Sequence, residues 1–193
     1  AEDWTLLYKT VLSSPVHELN WYSGQGSVAA VTDDGAVVLS ETIMRSGMCG
    51  ELYVVQITSQ EVSVHINGEQ WVENTGLIVR GIFLGRSCFV VWSGKKARVF
   101  SVDPHLFKCD AYEPFDCSSM SLAIGDSSHI VEDSVFVADG LLVKVCNFAG
   151  TAKGSINFSE AEGGPLMLDL NGQYLGVVTK NNTVRFFDVH SPV

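Results

Sequence analysis

The stretch VAAVTDDGAVVLS, residues 28–40, and its counterpart LGVVTKNNTVRFFDV, residues 175–189, decide the fold. Each sets two runs of β-branched residues around a short connector, Asp33-Asp34-Gly35 or Lys180-Asn181-Asn182, whose residues tolerate turn geometry. That is the signature of a β-hairpin. The same pattern recurs around Ser59-Gln60, Ser93-Gly94-Lys95 and Asp139-Gly140, which gives five hairpins centred near residues 34, 60, 94, 140 and 181. Their spacings of 26 to 46 residues bracket the roughly 40-residue period of four-stranded propeller blades. No stretch carries a sustained helical stripe.

The likeness between the two ends extends beyond the hairpin. Around both, small residues lead into Pro15 or Pro165, an alternating strand, a Gly-Gln turn, a Val-rich strand, a turn and a last strand. The predicted fold is all-β: a WD-like β-propeller, formed as a partial or irregular ring of four-stranded antiparallel blades and occupying residues 1–193 as one region. The repeated hairpin reads as the final strand pair of each blade. The interval from Ser40 to Leu52 is too short for a complete blade, which predicts a reduced blade or missing residues there. Residues 103–119, with Pro104, Pro114 and little period, read as a loop between strands. A β-sandwich and a Greek-key barrel also use many short strands and remain alternatives.

Composition narrows the partners. Apolar residues make up 46% and charged residues 18%, with 18 Gly against 5 Pro, the balance of a folded, sheet-rich chain. The formal net charge is −10, from 12 basic and 22 acidic side chains, and no basic cluster stands out in the sequence. Nucleic acid needs concentrated Lys and Arg to collect phosphates, and an anionic membrane surface makes the same demand, so both are disfavoured. A basic protein partner fits the charge better. No apolar run reaches the roughly 18 residues of a membrane span, and AEDWTLLYK lacks the pattern of a signal peptide. The expectation is a piece of something larger, whose remainder completes the ring. The five cysteines form an odd set and read as free thiols in a reducing compartment, with Cys109 and Cys117 as the one pair that could bridge a loop. The Asn-x-Ser/Thr triplets at Asn157 and Asn181 are short enough to arise by chance.

Each catalytic reading has a plainer rival. Glu162-Gly163-Gly164-Pro165 resembles the surroundings of a chymotrypsin-like nucleophile, where a Ser or Cys precedes the Gly-Gly-Pro. A carboxylate at that position is a poor nucleophile and repels a developing oxyanion, so only an inactive barrel of that kind would be consistent with it. The histidines are scattered singly, with no metal-ligand spacing, and no phosphate-binding Gly motif occurs. Carboxylates fall mostly in turns. A propeller enzyme would have to bring a pair of them together at one channel mouth. The prediction is no catalytic residue, no cofactor and no metal.

Large aromatics offer two roles. Trp21, Trp92, Phe100, Phe148, Phe158, Phe186 and Phe187 sit at strand ends, where burial would wedge blades together. Trp4, Tyr8, Trp71, Phe107, Tyr112 and Phe115 are the more exposed set. Phe107, Tyr112 and Phe115 are the candidate partner contacts, with local packing as the alternative.

The run IVRGIF, residues 78–83, with CFVVWSGKKARVF, residues 88–100, resembles a degenerate blade of the large WD-repeat subunits of intraflagellar transport complex A. So do VKVCNFAGTAKG, residues 143–154, INFSEAEGGP, residues 156–165, and the closing VRFFD, residues 184–188. The similarity covers roughly residues 77–190 and is strongest to the type with two propellers followed by a helical array. The resemblance implies part of the second propeller, a non-enzymatic scaffold for protein subunits, and a place in the cytoplasm and cilium with the cytoskeletal transport machinery. It carries no catalytic residues to transfer.

Overall fold

In the computed structural model, the structure describes residues 11–22, 27–39, 45–125 and 133–189. These residues form strands and turns, with no helix among them. Five antiparallel sheets follow one another along the chain. The first contains β1 (Val16–Tyr22), β2 (Ser27–Thr32) and β3 (Gly35–Leu39). The second runs through β4 (Ser46–Cys49), β5 (Leu52–Gln56), β6 (Glu61–Ile66) and β7 (Glu69–Asn74). The third contains β8 (Gly81–Leu84), β9 (Cys88–Trp92), β10 (Lys96–Asp103) and β11 (Lys108–Ala111), with β12 (Phe115–Asp116) also paired to β10. The fourth is β13 (Leu122–Gly125), β14 (Ser134–Asp139), β15 (Leu142–Cys146) and β16 (Ala152–Asn157). The last is β17 (Pro165–Asn171), β18 (Tyr174–Thr179) and β19 (Val184–Asp188).

Every sheet is an up-and-down meander, and all five hairpins read from the sequence are present. Their position in the blade is corrected. In the second, third and fourth sheets the hairpin supplies the two middle strands, with a further strand on its outer side. Those outer strands are largely exposed and polar, as in EQWVEN and KCDA, so they lack the apolar alternation that marks a half-buried strand. Residues 103–119 are likewise more than a loop. They turn back to form β11 and β12 against β10, from Asp103 opposite Lys108 to Lys96 opposite Asp116. The second sheet is also complete, because β4 fits into the short interval before Leu52.

Stacking of the sheets explains why some strands are apolar on both faces. On β9, Phe89 and Val91 join Leu52, Val54, Val62 and Val64 in a core between the second and third sheets. The alternate residues, Cys88 and Val90, join Val135 and Val137 in the next core, between the third and fourth sheets. Phe136 and Val143 then meet Leu175 and Val177 of the last sheet. A strand packed on both sides reads as an unbroken apolar run, as CFVVW does. Phe89 and Phe100 stack within the first of these cores, with ring centroids 4.8 Å apart. The opening strands of successive sheets are neighbours, β4 beside β8, β8 beside β13 and β13 beside β17. On the outer side, β7 lies near β11. Separate radial sheets in this order make a propeller arrangement and exclude a closed protease-like barrel.

Two close approaches set the sheet spacing. A Cβ on Gly164 would lie 2.1 Å from the Gly140 carbonyl oxygen, and one on Gly47 would lie 2.2 Å from Leu84 Cδ1. The first is the harder constraint, since a backbone atom cannot turn aside. Gly164→Ala is expected to destabilise the chain by about 1–3 kcal/mol through overpacking. Gly154→Ala, whose Cβ would meet nothing within 4 Å, should change stability by less than about 1 kcal/mol. Urea unfolding of the two variants, monitored by intrinsic fluorescence, measures the difference.

Candidate interaction surface

The three aromatic residues expected at a partner surface fall in two places. Asp103 Oδ1 accepts hydrogen bonds from the backbone N–H groups of His105 and Leu106, at 2.9 and 3.1 Å, and so closes the turn between β10 and β11. Phe107 follows with a φ of 49°, in the left-handed region that a bulky side chain rarely adopts. This turn presents Leu106 and Phe107, 62% and 50% exposed. The Phe107 ring meets Trp71 of β7 edge-on at 6.4 Å. It is a surface site at the outer rim, where the second and third sheets meet.

Tyr112 and Phe115 instead pack locally. The Tyr112 ring lies edge-on to buried Phe148, 5.4 Å away, and its carbonyl accepts a 2.8 Å hydrogen bond from Arg98 Nε. Phe115 is partly buried in the core between the third and fourth sheets. Its side chain occupies the space above Gly150, where a Cβ would come within 2.3 Å of it. Trp71 is also partly buried, while Trp4 and Tyr8 lie outside the described residues.

The wedge aromatics divide as well. Phe100, Phe148 and Phe158 are buried, and Phe187 packs against the last core. Phe186 is different, at 76% exposed. The register places Phe186 across from Gly176 and Val184 across from Val178, with Met167 opposite Val178 on the other side. Met167, Val184 and Phe186 therefore share one face of β17–β19, the face turned away from the core. Tyr174 lies on the same face, and all four are more than half exposed. The alternation in VRFFD identifies a strand but does not say which of its two phenylalanines points inward.

The carboxylates serve their own turns. Glu162 Oε2 accepts hydrogen bonds from the Ser159 backbone N–H at 2.9 Å and from Ser159 Oγ at 2.8 Å, and Arg185 Nη1 lies 3.3 Å from Oε1. The Ser159 donors, with Arg185 beside them, hold the Glu162 carboxyl below the usual carboxylate range. Arg185 also lies 5.1 and 4.8 Å from the Phe158 and Phe187 rings. His17 pairs with Asp33 in the first sheet, and Lys144 with Asp139. Asp169 is the one carboxylate lining a cavity of about 150 Å³ between β8, β13 and β17. Among the described residues, no group of three or more His, Cys, Asp or Glu side chains could hold a metal. Cys109 and Cys117 are free thiols that pack into different cores. Burial pushes them up to about 12 and about 11, respectively, so both stay protonated at neutral pH.

The family model of the IFT140 second beta-propeller matches residues 50–191, from the second sheet through the last. The chain belongs to that family. Membership ties it to intraflagellar transport and to a cilium-related setting. Among solved structures, it is similar to BamB from Moraxella catarrhalis, with 12% identity and a TM-score of 0.52, covering 84% of this chain and 53% of that one. It is also similar to BBS1N, crystallised in complex with ARL6DN, with 13% identity and a TM-score of 0.50, covering 93% and 67%. At these identities the likeness shows the fold alone. The chain spans about half the length of the BamB chain it matches.

Two tests follow from this geometry. Phe115→Ala should cost about 2–4 kcal/mol by opening a cavity, whereas Phe107→Ala should cost less than about 1 kcal/mol because its ring is half exposed. Chemical denaturation separates the two. Since the folded-state pKa of Glu162 is depressed, its stabilising contribution is present above the ordinary Glu range and is lost as pH falls through the folded value. Glu162→Gln should therefore lower the thermal midpoint at pH 7 and narrow its gap from the parent chain at pH 3.

Proposed function

We propose that this chain is a non-enzymatic scaffold segment of a ciliary intraflagellar transport assembly, where it joins protein subunits and does not turn over a substrate. Membership of the IFT140 second-propeller family over residues 50–191 carries this reading. Fold and surface support it. Stacked sheets hold their turns in fixed relation, and such rigid, closely spaced loops suit protein docking more than chemistry. BBS1N, of related fold, is crystallised as a complex with another protein.

The exposed face of β17–β19 extends the proposal to ring closure. The opposite face of the same sheet already carries Leu175 and Val177 into a core shared with the fourth sheet. Met167, Tyr174, Val184 and Phe186 form an exposed apolar patch on the free face, with Asp169 and Asp188 on the same face. The remainder of the parent chain fits here as the next blade, adding its own apolar face. At the rim, Leu106 and Phe107 form the site for another subunit, while Tyr112 and Phe115 pack within the separate junction of the third and fourth sheets. Neither nucleic acid nor membrane insertion is part of this role, and its setting is the cytoplasm and the cilium, in association with the cytoskeleton.

Co-purification of the tagged, intact parent protein, combined with a cross-linking map, tests the assignment. The expected result is recovery of other transport-assembly subunits, with cross-links near Phe107. Consistent recovery of the parent protein without them would overturn the scaffold reading. Phe186→Asp combined with Val184→Asp should leave the 193-residue chain about as stable as before, since both side chains are exposed, while lowering the stability of the intact parent by several kcal/mol through a charge buried at the blade junction.

A further inference from the structure

We propose that the groove between the opening strands of the second and third sheets binds an acidic, partly apolar peptide segment of a protein partner. The proposal rests on the scaffold reading above and gives it a specific recognition chemistry. The groove encloses about 410 Å³ and is lined by Arg45, Ser46, Arg80, Phe83, Trp92 and Met120, among others. Arg45 and Arg80 both line it, in a chain of net charge −10. That local reversal of sign is the first argument for an anionic occupant.

Local structure holds the cations in place. Arg80 precedes β8, and its backbone N–H donates to the Trp92 carbonyl at 2.8 Å. Its side chain lies over the turn between β9 and β10, with Nη1 3.5 Å from where a Cβ on Gly94 would stand. Any larger residue at Gly94 would crowd it. Among the described residues, no side-chain hydrogen bond or ion pair engages the Arg80 guanidinium. Lys95 and Lys96 are exposed in the same turn, with Asp116 opposite Lys96 as the nearby counter-charge. Arg45 approaches from the second sheet, where its backbone bonds Gln56.

The apolar half of the groove is equally specific. Trp92 Nε1 donates a 2.9 Å hydrogen bond to the Cys117 carbonyl, which fixes the indole with its ring beside Gly81. Met120 is 73% exposed at the rim. A flexible thioether next to a fixed indole can adapt to an apolar side chain, while a planar guanidinium takes a carboxylate in two-point fashion. Together they fit a peptide in which acidic and apolar residues alternate, since an extended strand presents the two kinds on opposite sides. A phosphate surface would use the charge and leave the apolar half without a role.

The test uses the purified 193-residue chain and a short fluorescein-labelled peptide of alternating Glu and Leu, with the Gln/Leu peptide of equal length as control. Fluorescence anisotropy should show binding of the Glu/Leu peptide that weakens as salt is added. Arg80→Glu should weaken it about tenfold, close to 1.4 kcal/mol. Arg86→Glu, at the other end of β8, should leave it unchanged, and thermal unfolding checks that both variants fold. If Arg80→Glu lowers the thermal midpoint, Arg80→Gln replaces it, with a smaller loss expected. Equal affinity for the two peptides, equal binding by the Arg80 and Arg86 variants, or capture of phosphatidylserine vesicles in place of the peptide would overturn the proposal. Loss of the peptide site while the parent still co-purifies with its assembly would reject the groove alone and leave the scaffold role standing.

Discussion

Everything in this structure depends on how closely one sheet can lie against the next. The Gly140 carbonyl occupies the space a side chain at Gly164 would need, and Leu84 does the same at Gly47. Where backbone meets backbone, only hydrogen fits. These contacts bring the flanking apolar faces within packing distance, so that Val, Leu and Phe side chains from adjacent sheets fill one core. Each fully buried aliphatic or aromatic side chain then contributes on the order of 1.5–3 kcal/mol. A clash of a few ångströms at the junction would forfeit several such contributions at once.

The inner part of each blade was legible in the sequence because burial leaves a mark there. The five hairpins have Val-rich strands and turn residues such as Gly35, Gly94 and Gly140, all with positive φ. The outer strands carry a weaker mark. β7 and β11 satisfy their backbone groups against a neighbour while most of their side chains, apart from Trp71 and Cys109, face water, and solvent imposes no apolar period. Pro104 and Pro114 strengthened the impression of a loop, although Pro114 falls between β11 and β12 and interrupts neither. The short interval before Leu52 misled for a related reason: β4 is only four residues long and contains Gly47, so its composition says little about pairing.

The candidate surface was harder to read, since it depends on which side of a strand faces inward. Tyr112 and Phe115 have the composition of an interface but the environment of a sheet junction, and Phe186 has the composition of a wedge but stands in solvent. The basic groove left almost no sequence signal. Arg45 and Arg80 are far apart in the chain and line one groove only because the first strands of two sheets run side by side. A net charge of −10 describes the average of the surface and conceals that local exception.

The serial order of the cores has a consequence for how the molecule loosens. The third and fourth sheets are packed on both faces, whereas the last has a core on one face and solvent on the other. Opening the outermost sheet breaks a single interface, while opening a central one breaks two. Amide protons in β9, β10 and β14 should thus be the last to exchange with solvent, and those of β19 among the first. A rigid middle with a more yielding end is a gradient of cooperativity, arising from neighbour contacts alone.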